Sequence, residues 1–205
     1  MKRKTFDALL STGGLVLAIV LAVAGGLLVW GHSFADHNVR TQLSEQKISF
    51  PDKAGIAAQK DPEITKYVTP YAGQQVVNGQ QAEVFADHYI AVHMNGIADG
   101  QTYSEVSGQY IALQASNPDD PKLAALAGQR EALFMGETLR GMLLNAYAFW
   151  KIGQIALVAA WVSFIGAGLM FLLSALGFWH GRRVSPETDV LPKLGAHTPA
   201  PVEQV

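Results

Sequence analysis

The sequence predicts an all-α membrane protein in which two transmembrane helices extend into an exported helical hairpin carrying a small helical cap. Three observations predict it. Two long stretches, Ala8 to Ala35 and Ile152 to Gly181, contain no Asp, Glu, Lys or Arg. Each exceeds the roughly 20 apolar residues that cross about 30 Å of hydrocarbon. Proline is missing before Pro51 and between Pro121 and Pro186, so no breaker forces either helix to stop at a membrane surface. Between the spans, no run alternates apolar and polar residues as a half-buried strand would.

The predicted divisions are an N-terminus at 1–5, a first span at 6–31, a helical domain at 32–149, a second span at 150–180 and a disordered, proline-rich tail at 181–205. Lys2, Arg3 and Lys4 precede the first span, and Arg182 and Arg183 follow the second. By the positive-inside rule both termini are cytoplasmic and the central domain is extracytoplasmic. Trp30 and Trp150 are placed at the outer interface and Trp179 at the inner one, as an aromatic belt requires. Lys151 is an anchor whose ammonium snorkels to headgroups. A cleaved signal peptide is the alternative for the first span, with Ser33 and Ala35 as small residues at a cleavage site. Its apolar core is longer than the roughly 7–15 residues of a signal sequence, which favours retention.

Small residues mark a packing face. Gly14, Ala18, Ala22 and Gly26 recur at every fourth position, as do Ala159, Ser163 and Ala167 in the second span. Such faces let helix backbones approach closely where lipid supplies no hydrophobic drive, so the spans are expected to pack on each other, with a face for another subunit as the alternative.

The first helix is expected to continue outward through Asp36–Lys47. The second begins near Pro121, with Asp119 or Asp120 as N-cap. From there Leu123, Leu126, Leu133, Phe134, Leu143, Leu144 and Tyr147 recur at helical spacing. Between Pro51 and Asp119 the chain reads as a cap on the stalk, in which Lys47 to Pro70 is polar, with three prolines and weak periodicity. Asn78 opens an amphipathic helix bearing Val84, Phe85, His88, Tyr89, Val92 and Ile97, which Asp99-Gly100 ends. Thr102 and Glu105 fit a capping box at the start of a further short helix.

Composition excludes several functions. The segment between the spans carries thirteen acidic and eight basic residues, which argues against nucleic acid as a partner. With no cysteine, disulfides, thiolate metal sites and cysteine nucleophiles are excluded. His88 and His93, with Asp87, are weak metal candidates: five residues apart on a regular helix, the two rings diverge by about 140°. His32 and His180 fall at opposite membrane faces, so no haem is expected between the spans. Glu137 and Arg140 form an i,i+3 ion pair on the stalk, with a lock between stalk and cap as its sharper role. Ser104 and Ser107 have no histidine partner in their sequence context.

The segments YAGQQVVNGQQAEVFADHYIAV (71–92), ADGQTYSEVSG (98–108) and GETLRGMLLNAYAFWK (136–151) resemble a family of small actinobacterial two-span membrane proteins of unknown function. Many of its members carry the label "aromatic ring-opening dioxygenase". The resemblance implies a bacterial plasma-membrane protein. The label implies an iron site of two histidines and a carboxylate, which His88, His93 and Asp87 do not supply at a ligating spacing. The expectation is therefore a non-enzymatic accessory, scaffold or assembly subunit of a cell-envelope complex, without cofactor. Its expected partners are the lipid bilayer and a membrane protein or a second copy. The alternative is an exported sensor with a ligand pocket lined by Phe85, Tyr89, Tyr103 and Tyr110. A metal-dependent oxygenase is the remote one.

Overall fold

The computed structural model describes residues 3–183 and Ser185. The fold is all-α. Helix α1 runs over Arg3–Gln46 and α7 over Lys122–Arg183, about 66 and 93 Å at 1.5 Å per residue. Both carry windows long and apolar enough to cross a membrane. Between them lie α2 (Lys53–Gln59), α3 (Pro62–Val68), α4 (Gly79–Phe85), α5 (Ala91–Ile97) and α6 (Tyr103–Ser116). A 3₁₀ turn, Thr69–Tyr71, follows α3, and a π turn, Ala86–Ile90, joins α4 to α5. Of the predicted tail, Gly181–Arg183 are the last turn of α7 rather than disordered, and apart from Ser185 the remainder lies outside the described residues.

The chain forms two compact units. One comprises the chain up to Leu28 and from Val158 onward; the other is Val29–Leu157. In the first, α1 and α7 meet along a seam of small side chains. Ala18 and Ala160 are 4% and 1% exposed, and Ser11, Ala167 and Ser174 are buried with them. Methyl groups added at Gly14 or Gly177 would collide with the Ser174 and Ser11 side chains, and one at Gly25 would lie 2.8 Å from the Phe164 ring. Ala18, Ala167 and Gly14 thus lie on the expected face, with Ala159 and Ser163 half-buried beside it. Ala22 and Gly26 do not: both are exposed, and nothing lies within 4 Å of a methyl added at Gly26. The reason is rotational drift. A step of four residues overshoots one turn by about 40°, so the face from Gly14 has rotated about 120° by Gly26. The seam instead follows a seven-residue interval, through Ser11, Ala18 and Gly25 and through Ala160, Ala167 and Ser174, the spacing that keeps two helices in contact.

In the second unit the core gathers Val39 and Leu43 of α1, Leu143 of α7, and the short helices between them. Ile64, Val68, Val76 and Leu143 are at most 1% exposed. Burying each contributes about 1.5–3 kcal/mol. Phe50 stacks on Tyr71 and meets Phe85 edge-on, at 5.3 and 5.2 Å. Backbone pairs join the chain after α1 to the chain before α4: Phe50 N–H donates to Gln74 O at 2.9 Å and Val76 N–H to Ile48 O at 2.8 Å. A smaller cluster of Ala98, Val106 and Leu133 seats α6 on α7.

Local capping follows sequence chemistry. Asp120 Oδ1 accepts the Lys122 amide at 2.8 Å and opens α7, and α6 begins with the full Thr102–Glu105 capping box. The amphipathic helix after Asn78 ends where expected, at Asp99 and Gly100, both with positive φ. It is not regular, because the π turn interrupts it. The weakly periodic stretch from Lys47 to Pro70 holds α2 and α3, capped by Asp52 and by Asp61 ahead of Pro62. Of the residues at helical spacing in α7, Leu133 and Leu143 are buried, whereas Phe134 is 57% exposed.

Candidate functional site

The π turn, Ala86–Ile90, carries part of the polar chemistry of the Val29–Leu157 unit. Its ring closes from the Ala91 amide to the Ala86 carbonyl, five residues back. Such turns add a residue to a helix and are common at functional positions. Asp87 on this turn meets Arg140 of α7: Oδ1 accepts from Nη2 at 2.9 Å and from Nε at 3.3 Å. Glu137 Oε2 accepts from Arg140 Nη1 at 3.3 Å. The predicted stalk pair therefore exists, but the bond that ties α7 to the short helices runs to Asp87. The Asp87 hydrogen bond, with the charges of Asp87 and Glu137, raises the Arg140 pKa above its ordinary value against the opposing effect of partial burial.

The two weak metal candidates are engaged separately. His88 donates from Nδ1 to Glu63 Oε1 at 2.8 Å and stacks on Tyr67 at 3.8 Å between ring centres. His93 donates from Nδ1 to the Tyr89 carbonyl at 2.7 Å. Asp87 serves Arg140. Among the described residues no group of three or more His, Asp or Glu side chains comes together as a metal site would require.

The aromatic set proposed for a ligand pocket is divided. Phe85 is in the main core, with Tyr89 tilted against it at 4.9 Å. Tyr103 lies against Phe134 at 5.7 Å, and Tyr110 lies under the Arg130 guanidinium at 4.4 Å. A groove of about 460 Å³ does run beside Tyr103, between Met94, Thr102 and Arg140.

Trp30 is 68% and Trp179 53% exposed, and Arg183 covers the Trp179 ring at 4.0 Å. Lys151 is exposed. Trp150 is not a free anchor. It is half-buried against the main core, and Gly79 sits so close to it that a methyl group there would overlap its Cβ. The glycine at the start of α4 lets that helix lie on the indole.

One surface escaped the sequence reading. Phe134, Met135, Met142 and Ile152 of α7 are 57%, 57%, 61% and 64% exposed, and Phe149 is 41% exposed. At 100° per residue they share a sector of roughly 100°, together with the uncharged Thr138 and Asn145. The seven-residue interval of Met135, Met142 and Phe149 was the available signal. No protein-family model matches the chain, and no curated protein or solved structure shows significant similarity to it.

Proposed function

We propose that this chain is an accessory subunit of a cell-envelope membrane complex, anchored by two spans, with α7 docking a helix of a different membrane protein. The observation that carries this reading is the exposed apolar face from Phe134 to Ile152. Met142 lies nine residues before Lys151, about 14 Å along the helix, and Met135 about 24 Å. The polar layer beyond the hydrocarbon is only about 5–8 Å deep on each side. The upper part of the face therefore meets water rather than lipid. A contiguous exposed apolar surface in that position favours an interaction site. The face continues through Phe149 to Ile152 in the uncharged stretch, so an occupant that covers all of it must itself enter the membrane.

The flanking charges support the orientation. Lys2, Arg3 and Lys4 at one end, and Arg182 and Arg183 at the other, favour cytoplasmic termini and an exported Val29–Leu157 unit. The lack of native cysteine makes the test clean. Ser116→Cys should react with an impermeant maleimide in intact cells, and Ser185→Cys only after permeabilisation; the reverse pattern refutes the topology. A photo-crosslinker at Met142 should capture one protein of defined mass in native membranes, and Met142→Lys should abolish capture. Capture only of a second copy would make the face a homodimer contact. Capture of nothing would remove the accessory reading.

A further inference from the structure

A second site lies in the Val29–Leu157 unit, away from the α7 face. It is a groove of about 310 Å³, near the lower end of ligand-pocket volumes. One wall is a single face of α1, where His32, Asp36 and Arg40 stand at successive i,i+4 positions. Trp150, Gln154 and Leu157 of α7 face them, and Asn78 and Gln80 close the top. The close packing of Gly79 on Trp150 fixes that closure.

The chemistry of the lining is two-sided. Arg40 gives Nε–H to Asp36 Oδ2 at 2.8 Å, which leaves both terminal nitrogens of its guanidinium as donors. The carboxamides of Gln80 and Gln154 make no side-chain hydrogen bond among the described residues, so their N–H groups are also available. On the acceptor side stands Asp36, whose side chain is 27% exposed, with its second oxygen uncommitted. His32 is bound through Nδ1 to the Gly153 carbonyl at 3.0 Å. A carbonyl can only accept, so Nδ1 carries the proton and Nε2 is the acceptor of the neutral ring. Donors suited to an oxyanion thus lie beside acceptors suited to an ammonium.

The height of the groove in the sequence supplies the ligand class. His32 follows Trp30 by two residues, and Trp150 to Leu157 straddle the first residues of the second uncharged stretch. If the spans cross the membrane as proposed above, this is the level of outer-leaflet phosphates. We propose that the groove holds the headgroup of a phospholipid bearing a phosphodiester and a primary ammonium. The phosphate is taken by Arg40, Gln80 and Gln154, and the ammonium by Asp36 and His32. Trp150 and Leu157 meet the start of the glycerol and acyl region. A guanidinium and amide donors match phosphate oxygens in charge and number.

The test is native mass spectrometry of the full chain, released from micelles doped equally with phosphatidylethanolamine, phosphatidylglycerol and phosphatidylcholine. The expected result is preferential retention of one phosphatidylethanolamine. Arg40→Met should lower that retention about tenfold, and Gln154→Leu should lower it by a smaller factor. Asp36→Asn should remove the preference over phosphatidylglycerol while phosphate-dependent retention persists. Near-UV circular dichroism checks that each variant is folded, and Gln154→Leu decides if Arg40→Met is not. Equal retention of all three lipids, or retention unchanged in both Arg40→Met and Gln154→Leu, overturns the proposal. Displacement of the lipid by equimolar free phosphoethanolamine would assign the groove to a soluble phosphate compound and also overturn the lipid assignment. Failure of the membrane reading is separable, because the protein would then leave the membrane pellet in alkaline carbonate.

Discussion

Two glycine-to-alanine substitutions should differ sharply, and the difference depends on which atom the new methyl group meets. At Gly79 a Cβ would overlap Cβ and Cγ of Trp150 and lie 2.9 Å from Cδ2. Trp150 Cβ is fixed to the backbone of α7, so only a displacement of α4 relieves the clash. Overpacking of this kind costs about 1–3 kcal/mol. Gly79 is the first residue of α4, where the helix-propensity gain of alanine is small. At Gly136 the new methyl would collide with the Met94 sulfur and terminal methyl. That is the far end of a flexible, partly exposed side chain that can swing aside. Gly136 lies in the interior of α7, where alanine gains about 1 kcal/mol. The net effect there should be within about 1 kcal/mol of zero. For a unit of this size, 1 kcal/mol moves Tm by about 3–5 °C. Gly79→Ala should therefore lower Tm by about 3–15 °C and Gly136→Ala by no more than about 5 °C. The assay is thermal unfolding in detergent followed by tryptophan fluorescence. Trp150→Ala should not rescue Gly79→Ala, because the colliding Cβ remains, whereas Trp150→Gly should rescue part of the loss. If Gly79→Ala melts with the parent chain, or Gly136→Ala is the more damaging, the packing argument fails.

The remaining predictions concern the caps, the ion pair and the seam. A double-mutant cycle of Asp87→Asn and Arg140→Met should give a coupling of only about 1 kcal/mol, since the side chains are 34% and 33% exposed and solvent screens them. Glu137→Gln should cost a few tenths of a kcal/mol in the same denaturant titration. Thr102→Ala should cost about 1 kcal/mol and speed hydrogen exchange at the Val106 amide. The Thr102 backbone and side-chain hydrogen bonds depress the Glu105 pKa. A depressed carboxylate pKa stabilises the fold above the ordinary carboxylate range, and that contribution is lost as pH falls through the folded-state value. Val106 protection should therefore fall in acid, and the fall should vanish in Glu105→Gln. Ala18→Leu and Ala160→Leu should each destabilise the helix pair by about 1–3 kcal/mol in a detergent melt, while Ala22→Leu and Gly26→Leu should be neutral.

Long-range features of the chain were legible where one residue type acts through a whole helix. The charge-free stretches and the proline gaps placed α1 and α7, and Asp120 and the Thr102–Glu105 box marked helix starts through chemistry within a few residues. What escaped depended on short elements or distant partners. Helices α2 and α3 have seven residues each, too few for a periodicity to rise above chance. Their caps, Asp52 and the Asp61-Pro62-Glu63 start, were the readable signal. The Asp87–Arg140 bond joins residues 53 apart, and no local pattern announces it. Trp150 has the composition of a membrane anchor, and only the glycine 71 positions earlier reveals that it is covered.

The seven-residue seam of α1 carries an argument about solvent that is independent of hydropathy. In its N-terminal part the fully buried positions are Ser11, Ala18 and Gly25, with Gly14, Leu21 and Leu28 half-buried beside them. Further along they are Ala35, Val39 and Leu43, exposed by 5%, 3% and 2%. The helix keeps one period while its seam residues grow from a hydrogen or a methyl group to full aliphatic side chains. In water, association is driven by removing apolar surface, and larger side chains remove more. In lipid that drive is absent, since acyl chains solvate leucine as well as a neighbouring helix does, and close backbone approach over small residues takes its place. The change in seam size falls between Gly25 and Val39, the interval in which the charge-free stretch ends at Asp36. On the membrane reading proposed above, packing chemistry and charge distribution thus point to the same part of α1 for the change of solvent.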